Sequence, residues 1–135
     1  MKELTLMATV ENIAVVTDFV NEQLEAVDCP PKVQIQIDIA IDEIFGNIAH
    51  YAYRPQAGEA TVRVEILGDP GAAVLTFMDR GIPYDPLKNQ DPNTGLPAEE
   101  RDIGGLGIFM VKKTMDEMRY EYKDGQNILT IRKTL

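Results

Sequence analysis

Hydrophobic positions recur at two spacings along the chain, and the changes between them divide it into elements. Residues 3–9, ELTLMAT, alternate polar and apolar, which predicts a short strand. From Glu11 or Asn12 to about Val27 the period lengthens, with Ile13, Val16, Phe19, Val20, Leu24 and Val27 at helical spacing. Pro30 and Pro31 end that helix and set the start of the next. Residues 33–53, VQIQIDIAIDEIFGNIAHYAY, then carry Ile37, Ile41, Ile44 and Ile48 at steps of three and four, one buried stripe on a helix. Glu43, Asn47 and His50 fall at the same steps on a second face, so a carboxylate, an amide and an imidazole line up. Gly46 stands between them, and since glycine inside a helix costs about 1 kcal/mol relative to alanine, it predicts a close approach to the backbone there.

After a break at 54–58, residues 60–67 place Val62, Val64 and Ile66 in strict alternation, a half-buried strand. Residues 68–71, GDPG, read as a hairpin turn, and 73–78 as the returning strand, ending on Asp79-Arg80-Gly81. Residues 82–103 change character, with Pro83, Pro86, Pro92 and Pro97 in a stretch too long for a simple connector, and loops of about twenty residues in a compact domain are usually functional or mobile. Gly104-Gly105-Leu106-Gly107 closes that loop, and 108–116 resume helical spacing through Ile108, Val111 and Met115. Two last strands, 118–122 and 127–132, flank Asp124-Gly125, a dipeptide that favours a tight hairpin. This order predicts an α+β two-layer sandwich, helices on one face of a mostly antiparallel sheet.

Composition sharpens the class. At 135 residues, 44% hydrophobic and 26% charged, the chain is one ordinary globular domain, 1–135. Thirteen basic against 22 acidic residues give net −9, which disfavours nucleic acid and anionic membrane surfaces as partners. The N-terminal stretch is broken by charged and polar residues and no run approaches the ~20 apolar residues that span a bilayer, so the expected location is cytoplasmic. A lone Cys29 and a lone His50 exclude an internal disulfide and the usual zinc cluster.

Three segments carry candidate chemistry, each with a plain structural alternative. Glu43 and Asn47, one helical turn apart, could act on a magnesium nucleotide, because an amide oxygen suits a hard cation and a carboxylate can serve as general base; an arbitrary pair at this spacing is a solvated helix face. Asp79 could accept from an exocyclic amine while Gly81 lets a flat ring lie on the backbone, or the two could simply make a turn. The 104–107 glycines before a helix suit a phosphate, or an ordinary loop.

In order and spacing, the segments DEIFGNIAHYAY (42–53), DRGIPYDPL (79–87) and IGGLGIFMVKKTMDEMRYE (103–121) resemble the GHKL, or Bergerat-fold, ATP-binding domain. Within that superfamily the chain is most similar to the bacterial anti-sigma regulatory factors, which are serine/threonine kinases. The likeness runs over nearly the whole chain and implies the Bergerat sandwich, whose mostly antiparallel sheet is mixed. It implies ATP and Mg²⁺ as cofactors, with Asn47 as metal ligand and Glu43 as general base toward a substrate hydroxyl. Asp79 is implied as acceptor of the adenine amine, Gly81 as the glycine under the ring, and Gly104, Gly105, Leu106 and Gly107 as lid hinge and phosphate contacts. The match departs from the family pattern at Tyr51, where many members have a histidine, leaving His50 as a phosphate contact or a surface histidine. Arg101 before the glycines is either a phosphate contact or a solvated arginine.

The function this resemblance implies is a protein kinase that phosphorylates a STAS-type anti-anti-sigma protein, can sequester a sigma factor, and pairs as a homodimer through an apolar patch on the first strand or helix. The alternative is a nucleotide-responsive binding module of the same fold without kinase activity, in which ATP sets partner affinity through the lid. The presence of Glu43 favours the kinase. A histidine kinase is disfavoured, because the one histidine lies inside the binding segment.

Overall fold

In the computed structural model, the structure describes residues 1–53, 57–68, 71–88 and 103–135, with 88 and 103–106 described by backbone alone. The five strands β1 (Lys2–Met7), β2 (Glu59–Leu67), β3 (Ala72–Asp79), β4 (Glu117–Lys123) and β5 (Gln126–Thr134) form one sheet in the order β1-β2-β3-β5-β4. All four pairings among these strands are antiparallel, so the expected mixed character is absent from the described sheet. The connections explain this: β2 to β3 and β4 to β5 are short hairpins, and short links force antiparallel neighbours. At Asp124-Gly125 both residues take the left-handed conformation, with φ of 54° and 78°, as a two-residue hairpin of this twist requires.

Alternation assigns the faces. Leu4, Val62, Phe77, Leu129 and Tyr120 lie side by side across the sheet, and Val64, Leu75, Ile131 and Met118 form the next row. These residues share one core with Val16, Val20 and Leu24 of α1 (Ile13–Glu25), Ile37, Ile41, Ile44 and Phe45 of α2 (Pro31–Asn47), and Ile108 and Val111 of α3 (Ile103–Thr114). The helices therefore cover one face, as the sequence pattern implies. The opposite face carries polar pairs, Thr5 Oγ1 with Thr61 Oγ1 at 2.9 Å and Arg63 Nε donating to Glu3 at 2.8 Å. Burying one large apolar side chain stabilises by roughly 1.5–3 kcal/mol, and Ile37, Ile41 and Phe45 are all fully buried.

A third inner row breaks the apolar pattern. Leu6 and Ala60 are followed across the sheet by Asp79, Asn127 and Tyr122. Asp79 and Asn127 are the buried polar side chains among the described residues.

The structure moves two helix boundaries. The α-helical part of the central helix stops at Asn47, and Ile48–Ala52 continues as a π turn, a device frequent at functional sites. The third helix starts at Ile103, so the glycines at 104–107 lie within its first five residues and do not close a loop. Residues 54–56, 69–70 and 89–102, including most of the proline-bearing stretch and Arg101, lie outside the described residues. Among the described residues no helix is long and apolar enough to cross a membrane.

Candidate functional site

The polar break in the inner face is where a cavity opens. Asp79 ends β3 and is only 6% exposed. Its Oδ1 accepts hydrogen bonds from Gly81 N at 2.9 Å and Asn127 Nδ2 at 3.0 Å, while Oδ2 has no such partner among the described residues. Burial raises the Asp79 pKa above the ordinary carboxylate value, and the two donors only partly offset this.

Asn127 ties this carboxylate to its surroundings. Its Nδ2 also donates to Ile82 O at 2.9 Å, and its Oδ1 accepts from Tyr84 N at 3.0 Å and Tyr120 Oη at 2.5 Å. The amide therefore holds the end of β3, the residues after it and β4 in one arrangement.

The turn after Asp79 is fixed to the π turn from the other side. Ile82 N donates to Ala52 O at 2.9 Å, and a Cβ placed on Gly81 would overlap the Ala52 carbonyl. Only glycine permits that approach. Tyr53 Oη donates to Glu59 O at 2.6 Å and accepts from Arg80 N at 2.7 Å, so one hydroxyl joins the end of the first segment to both β2 and β3.

Between these elements lies a cavity of about 260 Å³. Ile44, Ile48, Phe77, Ile82, Ile108 and Leu129 give it apolar walls, and Asn47, Tyr51, Asp79, Tyr84, Tyr120 and Asn127 place polar groups on its lining. An apolar slot with a few convergent polar groups is the usual form of a small-molecule site. A flat heterocycle with an exocyclic donor matches the open Asp79 oxygen.

Of the residues singled out from sequence, Asn47 and Asp79 share this lining. Gly81 stands beside it, at the base of the turn. Glu43 is half-buried one turn before Asn47 and lies outside the lining; its carboxylate rests against Gly107 of α3. Burial, and secondarily the neighbouring Asp42, raises the Glu43 pKa. Gly104, Gly105 and Leu106 occupy the turn of α3 just before Gly107. His50 is exposed and outside the lining, whereas Tyr51 is on it. The π turn favours longer steps than an α-helix, which brings the residue four after Asn47, not three, to the cavity. Gly46 faces α1 instead of the site: a Cβ there would meet Ile13 Cδ1 at 3.8 Å, ordinary contact, so no close approach explains it.

Sequence reasoning passed over Asn127, Tyr120 and Tyr53. Asn127 did leave a signal, since it has the strand phase of the core residues Leu129 and Ile131. Tyr120 and Tyr53 left none, because tyrosine is ordinary in the middle of a strand and at a helix end.

No group of three or more His, Cys, Asp or Glu side chains among the described residues could hold a metal ion. The one amide oxygen of Asn47 suits a hard cation only if a ligand's own oxygens complete its shell, which is how Mg²⁺ is usually held with phosphates.

The sequence model for the family described as Histidine kinase-like ATPase domain matches residues 6–133. Among curated proteins, the serine/threonine-protein kinase BtrW of Bordetella bronchiseptica is 24% identical over 100 residues, 74% of this chain and 70% of that protein. The serine-protein kinase RsbW of Bacillus cereus is 27% identical over 96 residues, 67% of this chain and 58% of that protein. The serine-protein kinase RsbW of Listeria innocua is 29% identical over 98 residues, 69% of this chain and 61% of that protein. The matched part is thus less than two thirds of either RsbW protein. The match along nearly the whole chain agrees with the likeness read from its three segments.

Proposed function

The chain belongs to the histidine kinase-like ATPase domain family, and from that premise we propose that it is an ATP- and Mg²⁺-dependent serine/threonine protein kinase of the anti-sigma type. The observation that carries the reading is Asp79, buried in an apolar cavity with one oxygen filled and the other open, on the same lining as Asn47. The names of the relatives, serine and serine/threonine protein kinases, support the reaction class.

The roles follow from the chemistry of each group. Asp79 Oδ2 accepts from the amine of the base, and Ile44, Ile48 and Leu129 keep water off the ring. The N-terminus of α3 offers the free backbone N–H groups of Gly104 and Gly105 to phosphate oxygens, with Leu106 and Gly107 in the turn that follows. When bound, Mg²⁺-ATP supplies the phosphoryl group and the charge that stabilises its transfer, and Asn47 is the residue that would hold the metal. Glu43 takes the proton from the substrate hydroxyl, and its raised pKa brings it nearer to the operating pH of a general base. His50, exposed on the π turn, is the weakest of the proposed phosphate contacts.

The substrate we assign is a STAS-type anti-anti-sigma protein, with a sigma factor as a second partner and a second copy of this chain as a third. Met7 at the end of β1, Val10 in the short turn before α1 and Val15 in the first turn of α1 are 43%, 51% and 47% exposed and give such a homodimer an apolar surface. The second reading, a nucleotide-responsive binding module without kinase activity, is favoured by one observation: Glu43 leans on Gly107 outside the cavity lining.

Calorimetry and phosphoryl transfer separate these readings. Asn47→Ala should abolish Mg²⁺-ATP binding, and unchanged affinity would remove the assignment of the site. Glu43→Ala should bind ATP nearly as well as the parent but transfer no phosphate to the antagonist; if the parent itself binds ATP and never transfers, the binding module is the function.

A further inference from the structure

We infer that Asn127, held by Tyr120, sets the base preference of the cavity by keeping Asp79 an acceptor toward the ligand. The inference rests on the ATP-binding reading above and adds to it the residues that select a 6-amino purine over a 6-oxo purine.

Every polar atom of the Asn127 amide is engaged. Two donors, Tyr84 N and Tyr120 Oη, converge on Oδ1, and Nδ2 donates to Asp79 Oδ1 and Ile82 O, with Gly81 O a longer third acceptor at 3.5 Å. Reversing the amide would set N–H against N–H and oxygen against a carboxylate, so its sense is fixed. Nδ2 consequently faces Asp79 at all times and, with Gly81 N, occupies Oδ1 in a way that favours the ionised carboxylate. What remains for a ligand is Oδ2, which accepts and does not donate. A purine with an amine at its 6 position supplies the matching donor, whereas one with a carbonyl there sets a lone pair against the carboxylate. Hydrogen-bonding sites discriminate strongly by leaving such groups unpaired.

Tyr120 is the adjustable member of this arrangement. It comes from the edge strand β4, its ring lines the cavity, and its hydroxyl adds the second donor on Asn127 Oδ1. Tyr120→Phe keeps the ring and leaves Tyr84 N alone to orient the amide. Asn127→Asp is isosteric, keeps the acceptor for Tyr120 and Tyr84, and turns an oxygen toward Asp79 in place of the N–H.

The test is calorimetric affinity of the full chain for adenosine diphosphate and inosine diphosphate. The parent should prefer the adenine nucleotide. Tyr120→Phe should narrow that preference about threefold to tenfold, the worth of one hydrogen bond, through weaker adenosine binding with inosine binding unchanged. Asn127→Asp should narrow it further; if that variant does not fold, Tyr120→Phe decides. A purely structural role would weaken both nucleotides alike, so an unchanged ratio in a folded Tyr120→Phe overturns the inference. A parent that binds both nucleotides equally also overturns it, while a parent that binds neither overturns the ATP reading on which it stands.

Discussion

The Glu43 carboxylate lies against the backbone of Gly107, so closely that a Cβ on Gly107 would overlap Oε2 and stand 3.1 Å from Oε1. The residue proposed as general base on α2 and a glycine in the first part of α3 therefore share one space. Anything that shifts α3 shifts the room available to that carboxylate, which links the position of the helix to the proposed proton transfer.

Gly107→Ala tests that link. The overlap falls on the far end of a flexible side chain, and alanine is the better helix former by about 1 kcal/mol, so the melting temperature should stay within a few degrees of the parent. Phosphoryl transfer to the antagonist should fall roughly tenfold or more, because Glu43 must leave its position. Combined with Glu43→Ala, the glycine substitution should have no additional effect on rate. Full activity in Gly107→Ala would show that the contact has no part in the reaction.

The pH profile of phosphoryl transfer should carry the signature of Glu43. Its pKa is raised by burial and by Asp42, so the acid limb of the rate should lie above the ordinary glutamate value of about 4.3, with activity falling as pH drops through it. Asp42→Asn removes the secondary cause and should move the limb to lower pH. A limb that stays in place in single-turnover measurements would assign it to another group.

Asp79 separates stability from binding. Its folded pKa is raised, so between the unfolded value of about 3.9 and that raised value the native state holds more protons, and stability declines as pH rises through this window. At neutral pH the buried charge costs stability. Asp79→Asn keeps an acceptor for Gly81 N and Asn127 Nδ2 and should melt at the same temperature or higher at pH 7. It should also lose adenine nucleotide binding by about a hundredfold or more, since an N–H₂ now meets the base amine.

Gly81→Ala should be the costliest change at the site. Here the overlap is with the backbone carbonyl of Ala52, which also accepts from Ile82 N. Neither side can yield without moving the π turn, and a destabilisation of about 1–3 kcal/mol is expected, measured by chemical denaturation. Nucleotide affinity should fall in parallel.

The proposed homodimer is checked by sedimentation velocity. Val10→Asp together with Val15→Asp places charge on an exposed apolar surface, so a parent dimer should become monomeric while the melting temperature of the monomer changes little. A dimer that survives both substitutions pairs through another face.

By itself the sequence determined the elements and named candidate residues, of which Asn47 and Asp79 share the cavity lining. The isoleucine stripe of the central helix, the alternating strands and Asp124-Gly125 follow from local periodicity and turn chemistry, and these are short-range properties. Glu43, Asn47, Asp79 and the glycines could be named because their residue types and order match a family. Tertiary structure decided what periodicity cannot express. The π turn at Ile48–Ala52 carries Tyr51 to the cavity and leaves His50 exposed. Among the described residues Gly46 meets Ile13 of α1 at ordinary distance, while the close approaches fall at Gly58 against Tyr53, Gly81 against Ala52 and Gly107 against Glu43. Asn127 acquires its meaning only when β5 pairs beside β3 and brings it within 3.0 Å of Asp79. Those contacts join residues far apart in the chain, and their geometry depends on how the sheet and helices pack.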